Sequence, residues 1–516
     1  MHLLIFFVLP PLLLLTHTLI SLLHKTYTQR SLLSIPGPLL TRFTRLWYFH
    51  RLWNGSFEKD NIALHREYGP VVRIAPDHYS IDVSHRAAIK TVYGPASRFK
   101  KSAWYEGWKH PDPDRWTLFP DRDVKRHGET RKRFAALYSM SSLVHYEAFV
   151  DSSADLFMAR LSEFADTNTT FNLGTWFQFY AFDVIGQITY GERFGFLDKG
   201  TDIDGTIAAL QNLMTYSSLI GIYHEWHSTL FGPLSHFSWS GAGGRAYIMR
   251  YVTEKIARYS TQQTANENKK KHSDIEAGNA PQTFLEKMLL ARDKDPEKVT
   301  DYHVFMMGLS NVIAGSDTTA ISLSGIMYHL LRNPDVLTKL QREIDEATEQ
   351  GRCSERVTFK ESQDMPYFQA VMKEALRMHS ATGLPFWRVV PEGGAEIAGR
   401  FFPAGAVVGV NAWVAHYDEG VFEEPHLFRP ERWIEAESGL DPEKARVMNE
   451  MYMPFGLGSR TCLGKHISIL EMSKLIPRIL REFEFTTERG GWRTENHWFV
   501  KPTDFEVKVR RRERKA

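Results

Sequence analysis

The sequence predicts a mainly α-helical protein with a small β-region, tethered to a membrane by an N-terminal helix. Three observations support this prediction. Residues 3–23 are predominantly apolar over a length that can span a bilayer. The stretches 144–230 and 302–331 carry apolar residues at helical spacing. Between residues 71 and 82, two short runs rich in β-branched and aromatic residues flank a turn, a pattern typical of a small sheet.

The N-terminal segment is interpreted as an uncleaved anchor over residues 1–24, followed by a basic, proline-rich hinge over residues 25–40. A cleaved secretory signal is the alternative, but no alanine occurs before Ala63, and the apolar run is long for a signal. No Lys or Arg precedes the run, whereas Lys25, Arg30 and further arginines follow it. The positive-inside rule then places the remaining chain, residues 41–516, in the cytosol.

The composition indicates one large folded domain after the hinge. The 516 residues show no linker-like break, and 43% of them are hydrophobic, enough for a large core. The net charge of +2 argues against dedicated nucleic-acid binding. Only two cysteines occur, so no disulfide framework exists. The polar stretch from Thr264 to Pro281 is predicted to be a solvated loop.

A glycine-rich loop near the end of the chain carries Cys462 into a stretch with helical periodicity from Leu463 to about Leu475. At a helix N-terminus, unpaired backbone N–H groups favour negative charge, so we expect a lowered thiol pKa. The glycines around it allow something flat to approach closely. Arg460 adds a cation. A planar, anionic, metal-bearing partner fits these features; the alternatives are an inert buried cysteine and the nucleophile of a hydrolase.

This loop resembles the haem-binding loop of the cytochrome P450 monooxygenases. The shared pattern is Phe-x-x-Gly-x-Arg-x-Cys-x-Gly, filled here by Phe455, Gly458, Arg460, Cys462 and Gly464. The resemblance implies the cytochrome P450 fold, with haem b as the cofactor and Cys462 as the axial ligand of its iron. It also implies that the domain of residues 41–516 is catalytic.

The predicted helix 302–331 contains a second pattern of that family at its middle. Glycine and adjacent threonines are poor choices for a helix interior, so something other than helix propensity selects them. The resemblance implies that Ala314 and Gly315 lie at the distal face of the haem. Gly315 would give dioxygen room, and Asp317 and Thr318 would organise its protonation. The alternative is an ordinary core helix whose threonine hydroxyls bond to the backbone.

Further correspondences imply residues around the cofactor and the substrate. His127 and Arg131 are one helical turn apart, and with Arg388 they match positions that bind haem propionates. An exposed basic helix is the alternative for the first two. Residues 382–384 and the Trp-rich loop 104–116 would face substrate, unless the tryptophans serve the core instead.

A carboxylate and a guanidinium three residues apart, Glu374 and Arg377, form a common pair that by itself carries little information. Its significance comes from Arg432, which follows in a Phe-Arg-Pro-Glu-Arg-Trp run. The resemblance implies that the three side chains form a structural network behind the haem.

The implied function is insertion of one oxygen atom from O2 into a hydrophobic small molecule. Electrons would come from NADPH through NADPH-cytochrome P450 reductase at the endoplasmic reticulum membrane, with the catalytic domain in the cytosol. Basic residues near His127 offer an acidic partner a cationic patch: Lys125, Arg126, Lys132 and Arg133. The segments 119–127 and 138–140 are similar to fungal enzymes of the pisatin demethylase type, which act in specialised metabolism. Alternatives are a haem-thiolate isomerase or peroxygenase that needs no reductase, and a non-enzymatic haem sensor.

Overall fold

A computed structural model describes residues 32–270, 282–487 and 491–513. The predicted anchor over residues 1–24 lies outside this part of the chain. Among the described residues, no helix is both long and apolar enough to cross a membrane. The α-helices are α1 Leu46–Trp53, α2 Phe57–Tyr68, α3 Arg86–Tyr93, α4 Val124–Ala135, α5 Met140–Thr167, α6 Leu173–Tyr190, α7 Phe196–Lys199, α8 Thr206–Ile222, α9 His227–Leu234, α10 Gly241–Lys270, α11 Phe284–Lys294, α12 Asp301–Arg332, α13 Pro334–Glu349, α14 Phe359–Gln363, α15 Pro366–Met378, α16 Ala412–His416, α17 Glu431–Glu437, α18 Pro442–Met451 and α19 Lys465–Glu482.

Helix α12 is long and central in the packing, and it confirms the long helix predicted from the sequence. The ring of His303 accepts a hydrogen bond from the Thr300 N–H at 3.2 Å, so one backbone donor at the N-terminus of α12 finds a partner. The helix ends before Pro334, because the residue that precedes a proline disfavours helical geometry. Helix α6 packs along α12, and α15 and α19 flank it. Most of its side chains are buried.

Four small sheets complete the fold and confirm the predicted β-region. The strands are β1 Val71–Ala75, β2 His78–Ile81, β3 Lys100–Lys101, β4 Phe171–Asn172, β5 Arg388–Val389, β6 Ala395–Ile397, β7 Arg400–Phe402, β8 Val407–Gly409, β9 Phe483–Thr486, β10 Thr494–His497, β11 Phe499–Pro502 and β12 Glu506–Arg511. The largest sheet has the order β1-β2-β8-β5-β3. Its last pair places Lys101 directly opposite Arg388.

Two local predictions need correction. The segment expected to be an irregular loop contains a 3-10 helix, Ala103–Trp108, because its tryptophans pack together inside the protein. Helix α10 continues through Lys270, so the polar stretch predicted to be a loop from Thr264 is helical at its start. The described end of the hinge is hydrogen-bonded to β1, because the Pro36 carbonyl accepts from the Arg73 N–H at 2.8 Å.

Candidate functional site

The loop before α19 is held in a turn that only glycine allows at two positions. Gly456 and Gly458 have φ angles of +69° and +63°, in the left-handed region. A Cβ on Gly458 would also lie 1.9 Å from the carbonyl oxygen of Tyr93, so a side chain cannot fit there. The Cys462 N–H donates to the Phe455 carbonyl at 2.9 Å and closes the loop. The predicted glycine pattern therefore builds a rigid cysteine-bearing loop.

Cys462 has accessible surface, but its thiol is surrounded by protein and desolvated. The surface that it exposes therefore borders an internal space. Burial raises the pKa of Cys462, although hydrogen bonds from the N–H groups of Gly464 and Lys465 and the charge of Arg131 lower it. The expectation of a lowered pKa is therefore wrong, because desolvation outweighs the helix N-terminus. The charged groups that act on this thiol, Arg131 and Lys465, are not bases. These surroundings do not activate a nucleophile, whereas a metal ion can displace the thiol proton.

Helix α12 packs against α19, the helix that follows this loop. The Tyr138 hydroxyl donates to Asn311 Oδ1 at 2.5 Å and is also close enough to Cys462 for their charges to interact. One turn further along α12, Ala314 is exposed although it lies in a largely buried helix. The Thr318 hydroxyl donates to the Ala314 carbonyl at 2.8 Å and is itself accessible. Ala314 and Thr318 thus present an open groove in an otherwise packed helix.

Gly315 packs against α6, and Asp317 is held by polar side chains. A Cβ on Gly315 would lie 2.9 Å from Ile185 of α6, so this glycine lets two helices pack closely; that it gives dioxygen room stays a prediction. Asp317 Oδ1 accepts from Gln178 and from Lys501 Nζ, the latter at 3.3 Å. These groups line a cleft of about 320 Å³ beside the β10–β11 hairpin. Asp317 and Thr318 are therefore held by different partners.

Several cations gather around the cysteine loop. Lys101 and Arg388 are cross-strand neighbours, an arrangement that is unfavourable for like charges. The Arg388 Nη1 donates to the Trp387 carbonyl at 3.0 Å, and the Arg460 Nη1 donates to the Asp121 carbonyl at 2.9 Å. Lys101 was missed by the sequence analysis, where its only signal is a tandem lysine ahead of the Trp-rich segment.

The pKa shifts of these groups result first from burial and then from the repulsion between neighbouring cations. Burial, with Arg388 and Arg460 nearby, lowers the pKa of Lys101 well below its ordinary value. Burial and Arg388 also lower the pKa of Arg460, to about 10. The pKa of His127 falls to about 3 because it is desolvated and faces Arg460, Lys101 and Arg131. The His127 ring is therefore neutral, and Asp121 only partly compensates the surrounding cations.

No carboxylate within the described ranges forms a salt bridge with Lys101, Arg131, Arg388 or Arg460. Asp121, the nearest candidate, is already paired with Arg126 at 2.8 Å. The described chain also holds no group of three or more His, Cys, Asp or Glu side chains that could bind a metal. Buried and half-buried cations without carboxylate partners beside one accessible thiol fit a planar dianion that brings its own metal. The predicted haem fits this donor set: the cations would hold its carboxylates, and Cys462 would bind its metal.

The predicted network behind the loop is confirmed in its geometry. Glu374 and Arg377 are fully buried and joined by two hydrogen bonds of 2.9 and 2.8 Å. Arg432 Nε donates to the same carboxylate at 3.0 Å. The Glu374 carboxylate also accepts from Trp433 Nε1 at 2.9 Å and from the Arg429 N–H at 3.1 Å. One carboxylate therefore accepts hydrogen bonds from two buried guanidinium groups.

Most residues expected to face substrate are packed instead. Gly383 lies against the β10–β11 hairpin, since a Cβ there would lie 2.3 Å from Asn496 Nδ2. Leu384 is fully buried, and only Thr382 is partly exposed. Trp104 and Trp108 are buried and pack against Trp498 with their rings tilted. The alternative that these tryptophans serve the core is therefore confirmed for Trp104 and Trp108.

The chain is similar in sequence to known proteins of the family that the cysteine loop resembles. The sequence profile of the cytochrome P450 family matches residues 36–509. The chain is 36% identical over 494 residues to a pisatin demethylase of Fusarium vanettenii, covering 93% of this chain and 91% of the relative. It is 35% identical over 493 residues to cytochrome P450 monooxygenase cicH of Emericella nidulans, with 93% of each chain covered. It is 32% identical over 492 residues to cytochrome P450 monooxygenase gsfF of Penicillium aethiopicum, covering 93% of this chain and 94% of the relative.

Proposed function

The chain belongs to the cytochrome P450 family and is a monooxygenase, and from this premise we propose that it binds haem b through the Cys462 thiolate and oxidises a hydrophobic small molecule. The observation that carries the proposal is the set of buried and half-buried cations without carboxylate partners beside that thiol. Lys101, Arg388 and Arg460 repel one another until an anion lies between them. The two propionates of haem b supply that charge.

Haem held by the Cys462 thiolate would supply the activation of dioxygen. The chain supplies position and protons. The N–H groups of Gly464 and Lys465 and the charge of Arg131 stabilise the thiolate form of Cys462. Because the Thr318 hydroxyl donates its proton to the Ala314 carbonyl, its oxygen is available to accept from a water molecule in the groove. Thr318 is thereby placed to hold a water and direct its proton.

Asp317 takes a supporting role in this proposal. Its carboxylate is tied to Gln178 and Lys501, which face a cleft, and it is adjacent in sequence to Thr318. A carboxylate in this position connects the groove with the cleft and is a group through which protons can be resupplied.

We further propose a specialised-metabolism substrate, because a relative of 36% identity is named a pisatin demethylase. Electrons would come from NADPH-cytochrome P450 reductase. The exposed Lys125 and Lys132 of α4 support an acidic partner, whereas Arg126 is occupied by Asp121. A fall in the rate of haem reduction in the Lys125→Glu variant would support this docking face, and an unchanged rate would exclude it.

The membrane assignment, with the domain on the cytosolic side of the endoplasmic reticulum, remains our proposal. It is supported by exposed apolar side chains near the start of the described chain and near α9. They are Leu39, Leu40, Phe43, Leu46, Trp53, Trp226 and Trp239. The two groups are neighbours, because Arg45 Nη1 donates to Glu225 at 2.7 Å. Fractionation of cells that express the full chain tests the assignment, and recovery in the soluble fraction would exclude it.

The decisive experiment for haem-thiolate chemistry is carbon monoxide binding to the reduced protein. We expect the red-shifted Soret band of thiolate ligation. The Cys462→Ala variant should lose it, whereas Cys353→Ala should keep it, since Cys353 is buried and lies near Arg481 rather than near the cation cluster. A parental protein without this band, or a Cys462→Ala protein that retains it, would contradict the proposal.

A further inference from the structure

His416 lies between the charge network and the loop that carries Cys462. It ends α16 and is fully buried. Its Nδ1 is 2.9 Å from the Arg377 carbonyl and 2.9 Å from the Ser380 hydroxyl. Its Nε2 accepts from the Met453 N–H at 2.9 Å. Both ring nitrogens are therefore engaged, each with a different segment of the chain.

The partners determine which nitrogen carries the proton. A backbone N–H can only donate, so Nε2 must be the acceptor for Met453 and the proton must be on Nδ1. That proton points to the Arg377 carbonyl, which can only accept. Burial and the charge of Arg377 lower the pKa of His416 to about 3, so the ring remains neutral. A neutral imidazole has one donor and one acceptor, and the site uses both.

A continuous set of hydrogen bonds then connects the network with the cysteine loop. Arg377 holds Glu374 and donates from Nη1 to the His416 carbonyl at 2.7 Å, so Arg377 and His416 bind each other twice. Met453 is held by His416, and its own carbonyl accepts from the Gly456 N–H at 3.0 Å. The loop that begins at this turn is closed by Cys462, whose N–H bonds to Phe455.

We propose that His416 is a positioning residue that fixes the start of the cysteine loop to the buried Glu374–Arg377 pair and so presents the Cys462 sulfur to its metal. The inference rests on the proposed haem-thiolate function. The competing interpretation is a histidine that only fills space in the core.

Two substitutions separate these interpretations because each can retain the hydrogen bond of a different ring nitrogen. In His416→Gln, the amide can place an acceptor near the position of Nε2 and retain the Met453 contact. In His416→Asn, the shorter amide reaches only the position of Nδ1, so the Met453 N–H is left buried without a partner. His416→Ala removes both contacts. His379→Ala is the matched control, because His379 is also buried and bonds the Val500 carbonyl at 2.9 Å, away from the loop.

The experiment measures haem content and the carbon monoxide spectrum of each full-length variant. Because the buried Met453 N–H loses its partner, the ratio of thiolate-ligated to other haem should fall about fivefold to 100-fold in His416→Asn and His416→Ala. His416→Gln and the His379→Ala control should retain the parental ratio, even where thermal stability falls.

Equal ratios in the Gln and Asn variants, or an equal loss in the His379→Ala control, would overturn the inference. If His416→Ala fails to fold, the Gln and Asn pair still decides. A parental protein that lacks the thiolate band would instead refute the proposed function. The two failures are therefore distinguishable.

Discussion

Replacement of Glu374 by alanine is the most direct test of how the core behind the cysteine loop is stabilised. The carboxylate accepts five hydrogen bonds, from two guanidinium groups, one indole and one backbone N–H. Glu374 and Arg377 have no exposed surface, and Arg432 is 2% exposed. Glu374→Ala therefore leaves two buried positive charges without a counter-charge.

The magnitude follows from this geometry. Removing one partner of a buried ion pair costs about 3–5 kcal/mol, and two stranded guanidinium groups favour the upper end of that range. Adding the five hydrogen bonds separately would overcount, because the members of one network are not additive. Proteins are stable by only about 5–15 kcal/mol, so this loss is a large fraction of the total.

Thermal unfolding of the haem-loaded protein is the assay. At about 2.1 cal/mol/K per residue, unfolding of 516 residues changes the entropy by about 1.1 kcal/mol/K. A loss of about 3–5 kcal/mol then lowers the midpoint by about 3–5 °C if the domain unfolds cooperatively. Haem content should fall as well, because Arg377 is connected to the cysteine loop through His416.

The matched control is Glu435→Ala, which breaks the exposed ion pair with Arg429 at 3.1 Å. Exposed pairs contribute about 0–1 kcal/mol, so its midpoint should move by less than about 1 °C. A Glu374→Ala protein as stable and as rich in haem as this control would refute the reasoning and show that the buried charges find other compensation.

Two further predictions concern the groove and the cations. Thr318→Ala should keep fold and haem, while product formation falls by roughly 10²–10⁴-fold and NADPH is consumed with release of hydrogen peroxide, because a positioned proton is lost. Thr318→Ser should restore coupling, and unchanged coupling in the alanine variant would make Thr318 an ordinary helix residue. Lys101→Met should stabilise the haem-free protein by removing an uncompensated charge, yet weaken haem binding about tenfold or more in a haem-transfer assay. Lys100→Met, which replaces the exposed neighbouring lysine, should change neither the stability nor the haem binding. Equal effects of both substitutions would argue against a role for Lys101 in the cation cluster.

The sequence by itself determined the parts of this protein that depend on neighbouring positions. The cysteine loop is specified by glycines at fixed spacing, since two of them adopt left-handed geometry. Helix α12 follows from apolar periodicity and a stop signal at Pro334. Glu374 and Arg377 lie three residues apart on one helix, so their contact follows from helical geometry once both are buried.

Only the tertiary structure decided which distant groups meet and how far they are desolvated. The pairing of β3 with β5 places Lys101 opposite Arg388, a contact that no local pattern contains. The packing of α6 on α12 brings Ile185 against Gly315, a contact between helices that are distant in sequence. The pKa of Cys462 rises because burial exceeds the effect of the helix N-terminus. Burial is a sum over atoms from many segments, whereas periodicity and capping act within a few residues.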